Sequence, residues 1–195
     1  MENIKEILID LWEDPVKKTF EDGFLTYERQ LQGYLYYLLK SRKDNEFEIW
    51  IEPVIYFKEP VKNTLTHGIE NLIPDIVITK DDEIIAIIEI KSKAWGDVCF
   101  NEDIYKLKRY EAVSNISANI ILGYIPKETD WHYNGTKHYK LKEGCLFCFI
   151  SITNNKFEIN KLENELPDNF LHLYGYLDNK EAKFSSFNNT MKNFT

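Results

Sequence analysis

The run from Pro74 to Lys91 constrains this chain's fold more than any other stretch. Ile84, Ile85, Ala86, Ile87, Ile88 and Ile90 are apolar on both faces of an extended chain. That suits a central strand covered by helices on either side. The charges at its ends, Asp75, Glu89 and Lys91, are the anomaly, because ions there cost roughly several kcal/mol unless a metal or a partner charge compensates them. By alternation Glu89 and Lys91 share one face and Ile90 takes the other. Asp75 to Lys80 reads as the preceding strand of a hairpin, with Asp81-Asp82-Glu83 as its turn.

The turn sets a geometric condition. Asp75 meets Glu89 only if the loop holds an odd number of residues or a bulge shifts the register. A three-residue loop, Asp81 to Glu83, satisfies it and pairs Thr79 with Ile85, Val77 with Ile87 and Asp75 with Glu89. Two converging carboxylates beside a lysine suit Mg²⁺, which takes oxygen ligands and is bound through one or two carboxylates plus substrate phosphate. The Ile90 carbonyl lies between the two charged side chains and can complete the set. The same residues also fit a buried strand whose end charges are solvated or paired.

Pro74-Asp75, thirteen intervening residues and then Glu89-Ile90-Lys91 resemble the PD-(D/E)XK nuclease superfamily, the restriction-endonuclease-like fold. The resemblance implies an α/β domain with an αβββαβ core, a mixed central sheet flanked by helices, here with extra C-terminal strands. It implies hydrolysis of DNA phosphodiester bonds with Mg²⁺, for which Mn²⁺ substitutes. Asp75, Glu89 and the Ile90 carbonyl are then the metal ligands, and Lys91 stands beside the attacking water. Glu28 matches the glutamate that many of these nucleases carry on their first helix. Lys106, in Asp103-Ile104-Tyr105-Lys106-Leu107, matches a lysine that points back at the site. Lys93, Lys108 and Arg109 are the expected nucleic-acid contacts.

The surrounding chain supplies the order of elements. Asn3 to Trp12 has helical spacing that Asp14-Pro15 interrupts. Thr26 reads as the N-cap of a helix whose core side carries Glu28, Leu31, Leu35, Leu38 and Leu39. Phe47 to Phe57 reads as one strand bent at Pro53, with Glu48 and Glu52 as solvent-facing charge. Residues 58–73 read as a loop, and its His67 as a surface residue. Asn101 caps a helix from Glu102 to about Val113, and residues 118–125 form the next strand. One domain is expected over residues 1–195, with its core at about 26–125 and an extension at about 126–182. A loosely held tail from Lys183 follows.

Composition bounds the rest. The 195 residues, 44% apolar, suffice for one sizeable core. No apolar run approaches a membrane span, and the start Met1-Glu2-Asn3-Ile4-Lys5 has no secretory pattern, so a cytoplasmic protein without a membrane partner is expected. Three cysteines point to reduced thiols. On a strand, Cys145 and Cys148 face opposite ways, which favours buried thiols over a zinc knuckle. The net charge of -8 argues against diffuse attachment to nucleic acid. Lys91 to Lys142 nevertheless holds nine Lys and Arg against six Asp and Glu, leaving fifteen against twenty-six elsewhere. Trp95, Trp131 and Tyr133 are available for base stacking or for packing. A homodimer is compatible with all of this. The alternatives are a catalytically silent nuclease-like module that binds nucleic acid or protein, and a nuclease directed at RNA.

Overall fold

The computed structural model describes residues 3–42, 46–57, 73–93, 101–114, 119–123, 137–153, 166–178 and 181–188. Helix α1 (Ile4–Leu11) begins at Asn3, whose side chain accepts from the Lys5 N–H while Glu6 reaches back to the Asn3 N–H. Pro15 does not end the helical path. A π-helical turn (Trp12–Val16) absorbs it and leads into α2 (Lys17–Glu21), because widening the turn accommodates a residue without an N–H. Helix α3 (Glu28–Ser41) starts one residue later than the sequence suggests. Its N-cap is Tyr27, and the Gln30 side chain accepts from the N–H groups of Thr26 and Tyr27.

The expected bent strand over Phe47–Phe57 is two strands, β1 (Glu48–Ile51) and β2 (Val54–Phe57). Glu52 between them has φ +46°, and Pro53 has no N–H to give a ladder, so the chain leaves one neighbour for another. Then come β3 (Ile76–Lys80), β4 (Glu83–Lys93), α4 (Asn101–Ser114), β5 (Asn119–Gly123), β6 (Lys137–Thr153), β7 (Phe170–Asp178) and β8 (Glu181–Asn188). The fold is α/β, and among the described residues eight strands form a mixed sheet in the order β1-β3-β4-β6-β5-β2, with β7 beside β6 and β8 beside β7. Among these pairs, β4/β6 and β6/β7 are parallel and the rest antiparallel.

Strand β4 is the sheet's central member, between β3 and β6. Ile84 and Ile87 turn to the face covered by Ile104, Leu107, Tyr110 and Val113 of α4. Ala86, Ile88 and Ile90 turn to the face covered by α1, the π turn and α3. Burying Ile84, Ile87, Ile88 and Ile90 contributes roughly 1.5–3 kcal/mol each, enough to offset one poorly solvated carboxylate at the strand's end.

The hairpin differs from its expected form. Its turn has two residues, Asp81 and Asp82, at φ +49° and +61°, both in the left-handed region that a type I′ hairpin turn requires. Lys80 then pairs with Glu83 and Thr79 with Ile84, not Ile85. A bulge at Ile85 restores the offset, so that Ile78 meets Ala86 and Val77 meets Ile87 as expected. Ile85 and Ala86 consequently lean to the same face. The register Ile76 to Ile88, continued by one residue, sets Asp75 beside Glu89.

The strand after α4 is also not the expected neighbour. β5 lies between β6 and β2, and the parallel partner of β4 is β6, beyond the expected core limit of about residue 125. Between Leu141 and Leu146 the β6 register against β4 slips, near Gly144 at φ +87°. β6 pairs with β5 through Lys137–Lys140 and with β7 through Phe147–Thr153. Because β1 and β2 are consecutive in the chain yet sit at opposite ends of the strand order, the sheet curls. Glu48 of β1 faces solvent as expected, and its carboxylate is also paired with Lys137 and Tyr139 of β6.

Residues 183–188 are not a loose tail. They belong to β8, antiparallel to β7. Phe184 packs on Trp12 and Phe20, with ring centroids 4.6 and 5.5 Å away, and Trp12 donates its indole N–H to the Ser185 carbonyl. Lys156 to Ile159, strand-like in sequence, lies outside the described residues.

Candidate active site

The open end of the β3–β4 hairpin gathers six charged side chains. Glu89 projects from β4 toward α4 and is 2% exposed. Its Oε2 lies 3.3 Å from Lys106 Nζ, while its Oε1 is buried without a hydrogen-bond partner. Burial, reinforced by the Asp75 charge, pushes the Glu89 carboxyl up to about 8.

Asp75 sits in a bend just before β3 and is pinned through both its backbone and its side chain. Its carbonyl accepts from Gln32 Nε2 and from the Glu52 N–H, each at 3.0 Å. Its Oδ2 accepts from the Ile90 N–H at 2.6 Å. Burial raises this carboxyl to about 6 against the opposing effect of the Ile90 hydrogen bond, and the charges of Glu28 and Asp103 add to the rise.

Helix α4 contributes Asp103 and Lys106, three residues apart and hence on one side of the helix. Asp103, 6% exposed, lies 3.3 Å from Lys106 Nζ through Oδ1 and 3.6 Å from Lys91 Nζ through Oδ2. Lys91 Nζ also lies 3.9 Å from Glu28 Oε2 on the first turn of α3. Ser92 Oγ donates to the Thr26 carbonyl at 3.4 Å, tying the end of β4 to the start of α3. The charges alternate along a chain of contacts, Glu28, Lys91, Asp103, Lys106, Glu89, with Asp75 at its end.

Asp75, Glu89, Lys91, Glu28 and Lys106 are therefore brought together, and Ile90 joins them through its N–H. Lys108 and Arg109 are not part of this cluster. Lys108 pairs with Glu111 at 2.9 Å, and the Arg109 guanidinium lies 5.4 Å from the Tyr105 ring centroid. The side chain of Lys93, and His67, Trp95, Trp131 and Tyr133 entirely, lie outside the described residues.

Two residues of the cluster escaped the sequence analysis as members. Asp103 was visible as the partner of Lys106 at i,i+3. Gln32 follows Glu28 by four residues on the same side of α3, a polar group on an otherwise apolar stripe, and it is buried.

Cys145 and Cys148 are free and buried in opposite-face clusters, and burial pushes both thiols up. Among the described residues no group of three or more His, Cys, Asp or Glu side chains is arranged to hold a metal. No helix among them is long and apolar enough to cross a membrane. The chain matches no protein-family model, no curated protein and no solved structure.

Proposed function

We propose that this chain is a divalent-metal-dependent nuclease of the PD-(D/E)XK type that hydrolyses phosphodiester bonds of DNA. The observation that carries the reading is the convergence of Asp75, whose carboxylate accepts from the Ile90 N–H, with the adjacent Glu89, whose Oε1 is buried and unpartnered. A buried carboxylate oxygen without a donor is costly unless a cation fills the gap. With all six groups ionised, four carboxylates face two ammonium groups, a deficit that one divalent ion would cancel. Mg²⁺ needs no more than one or two protein carboxylates, because water and substrate oxygens complete its shell. The residues present therefore fit such an ion, held by Asp75, Glu89 and the Ile90 carbonyl, with Mn²⁺ able to replace it.

Topology supports the same reading. With β2 and β5 set aside as an added pair, α3, β1, β3, β4, α4 and β6 follow one another as helix, three antiparallel-linked strands, helix and a strand parallel to the third. With that pair left out, the order is compatible with an αβββαβ core whose last strand is β6. Order alone does not make an enzyme, so the weight rests on the side chains.

When bound, the ion lowers the pKa of a coordinated water and stabilises charge on the phosphate. The Lys91 ammonium, held between Asp103 and Glu28, orients the attacking water and offsets negative charge on the phosphate. Gln32 and the Ile90 N–H keep Asp75 in place. Lys108 and Arg109, on α4 but outside the cluster, are the described cations proposed to meet the flanking nucleic-acid backbone.

The test is hydrolysis of plasmid and oligonucleotide DNA with Mg²⁺ or Mn²⁺ by wild type, Asp75→Ala and Lys91→Ala. Metal-dependent cleavage by the wild type, lost in both variants, is expected. Cleavage that survives both substitutions unchanged overturns the assignment.

A second reading is a silent module that binds nucleic acid or protein. It is favoured by Lys106 already occupying the approach to Glu89 from within the chain, 3.3 Å from its Oε2. Calorimetry showing no metal binding at millimolar concentration selects it. An RNA oligonucleotide cleaved in place of DNA selects the RNA-directed form.

A further inference from the structure

The geometry points to Lys106 as a built-in counter-ion that competes with the divalent cation for Glu89 and passes to Asp103 when the cation binds. This inference rests on the metal-dependent reading above. Lys106 Nζ stands at 3.3 Å from both Glu89 Oε2 and Asp103 Oδ1, so the ammonium is already shared between two carboxylates. Glu89 is closed to water, and its charge is met only from within the protein or by an ion. Lys106 approaches from the rim, with 38% of its side chain exposed, so its stem can shift without opening the core. Asp103 lies one turn back on the same helix, and that contact persists when Lys106 leaves Glu89.

Asp103 is also prepared to receive a fuller share of the ammonium. It is nearly buried, and its Oδ2 makes no hydrogen bond, meeting only the Lys91 ammonium at 3.6 Å. A dication bonded to Glu89 repels an ammonium a few Å away, and the repulsion is strong where water is excluded. Apparent metal affinity is therefore set by the difference between binding the ion and releasing Lys106. A lysine fixed as a structural pair, or as a phosphate contact alone, predicts no gain of metal affinity on its removal.

The experiment is calorimetric titration of Mn²⁺, without nucleic acid, into wild type, Lys106→Met, Lys106→Gln and Lys106→Arg. Glu89→Gln serves as the control that confines the signal to this site. The neutral variants are expected to bind Mn²⁺ at least about tenfold more tightly, and Lys106→Arg to stay near wild type because it keeps the competing charge. A wild type that binds Mn²⁺ with both neutral variants equal or weaker overturns the counter-ion role and leaves the metal-dependent reading standing. No binding to wild type or to either neutral variant overturns both. Binding to the neutral variants alone supports the competition in its strongest form. Having two neutral variants keeps the test decisive if one of them folds poorly.

Discussion

The Asp75 carboxylate accepts a 2.6 Å hydrogen bond from the backbone N–H of Ile90, the residue between Glu89 and Lys91. One contact thus locks the acid that precedes β3 onto the end of β4. The two carboxylates are held near each other by the polypeptide itself. Such preorganisation has an electrostatic cost, and that cost is measurable.

Asp75 is raised from 3.8 to about 6 and Glu89 from 4.5 to about 8, with burial the leading cause of each. Between about pH 4 and pH 8 the folded chain retains protons that the unfolded chain has released. Stability from these groups is therefore full below the ordinary carboxylate range and falls as pH rises through that window. Glu89→Gln removes the larger part. In chelator, its stability relative to wild type should grow from near zero at pH 4 to about 1–3 kcal/mol at pH 8. Denaturant unfolding at several pH values measures it. A difference that is flat or reversed with pH contradicts the arrangement.

Gln32→Leu removes a buried donor from the Asp75 carbonyl while keeping the helix intact. The Glu52 N–H remains as a second donor, so the loss should be moderate, about 0.5–1.5 kcal/mol. Because Asp75 loses its tether to α3, nuclease activity should fall by more than the small loss of folded protein explains. Melting curves and cleavage assays on the same preparation separate the two effects. Activity equal to wild type contradicts the positioning role.

Asp82→Gly should stabilise the chain. Asp82 has φ +61°, a region open to glycine without penalty, and the second position of a type I′ turn favours it. A gain of about 0.4–1 kcal/mol is expected by thermal melting. A loss would indicate that the turn is not the two-residue form on which the bulge at Ile85 depends.

Gly175→Ala probes the docking of β8. A Cβ there meets Phe184 ring carbons at 2.9 Å, and that ring is itself confined by Trp12 and Phe20. Destabilisation of about 1–3 kcal/mol is expected by denaturant unfolding, with DNA cleavage little changed in the fraction that remains folded. An unchanged midpoint would mean that β8 is not packed on α2 and the π turn.

The β3–β4 hairpin was legible because its apolar run and end charges leave few alternatives. Its bulge was not, since Ile84 to Ile88 are all apolar and carry no pattern that a one-residue slip would break. β8 was hidden for a related reason. Phe184 and Phe187 are separated by an odd step and pack against opposite faces, with Ser185 and Ser186 between them, so no single-face alternation appears. The choice of β6 over β5 as the neighbour of β4 is a long-range pairing that local periodicity does not encode. At the site, charge at the end of an apolar strand was the readable signal. Asp103 and Gln32 needed only the helical spacings from Lys106 and Glu28.

The most direct measurement is the anomalous difference map of a crystal soaked in Mn²⁺. The account predicts one peak within bonding distance of both the Asp75 and the Glu89 carboxylates, with the Lys106 ammonium drawn away toward Asp103. A map in which Lys106 still sits on Glu89 and no ion lies between the two acids, in crystals that diffract as well as the unsoaked ones, contradicts it.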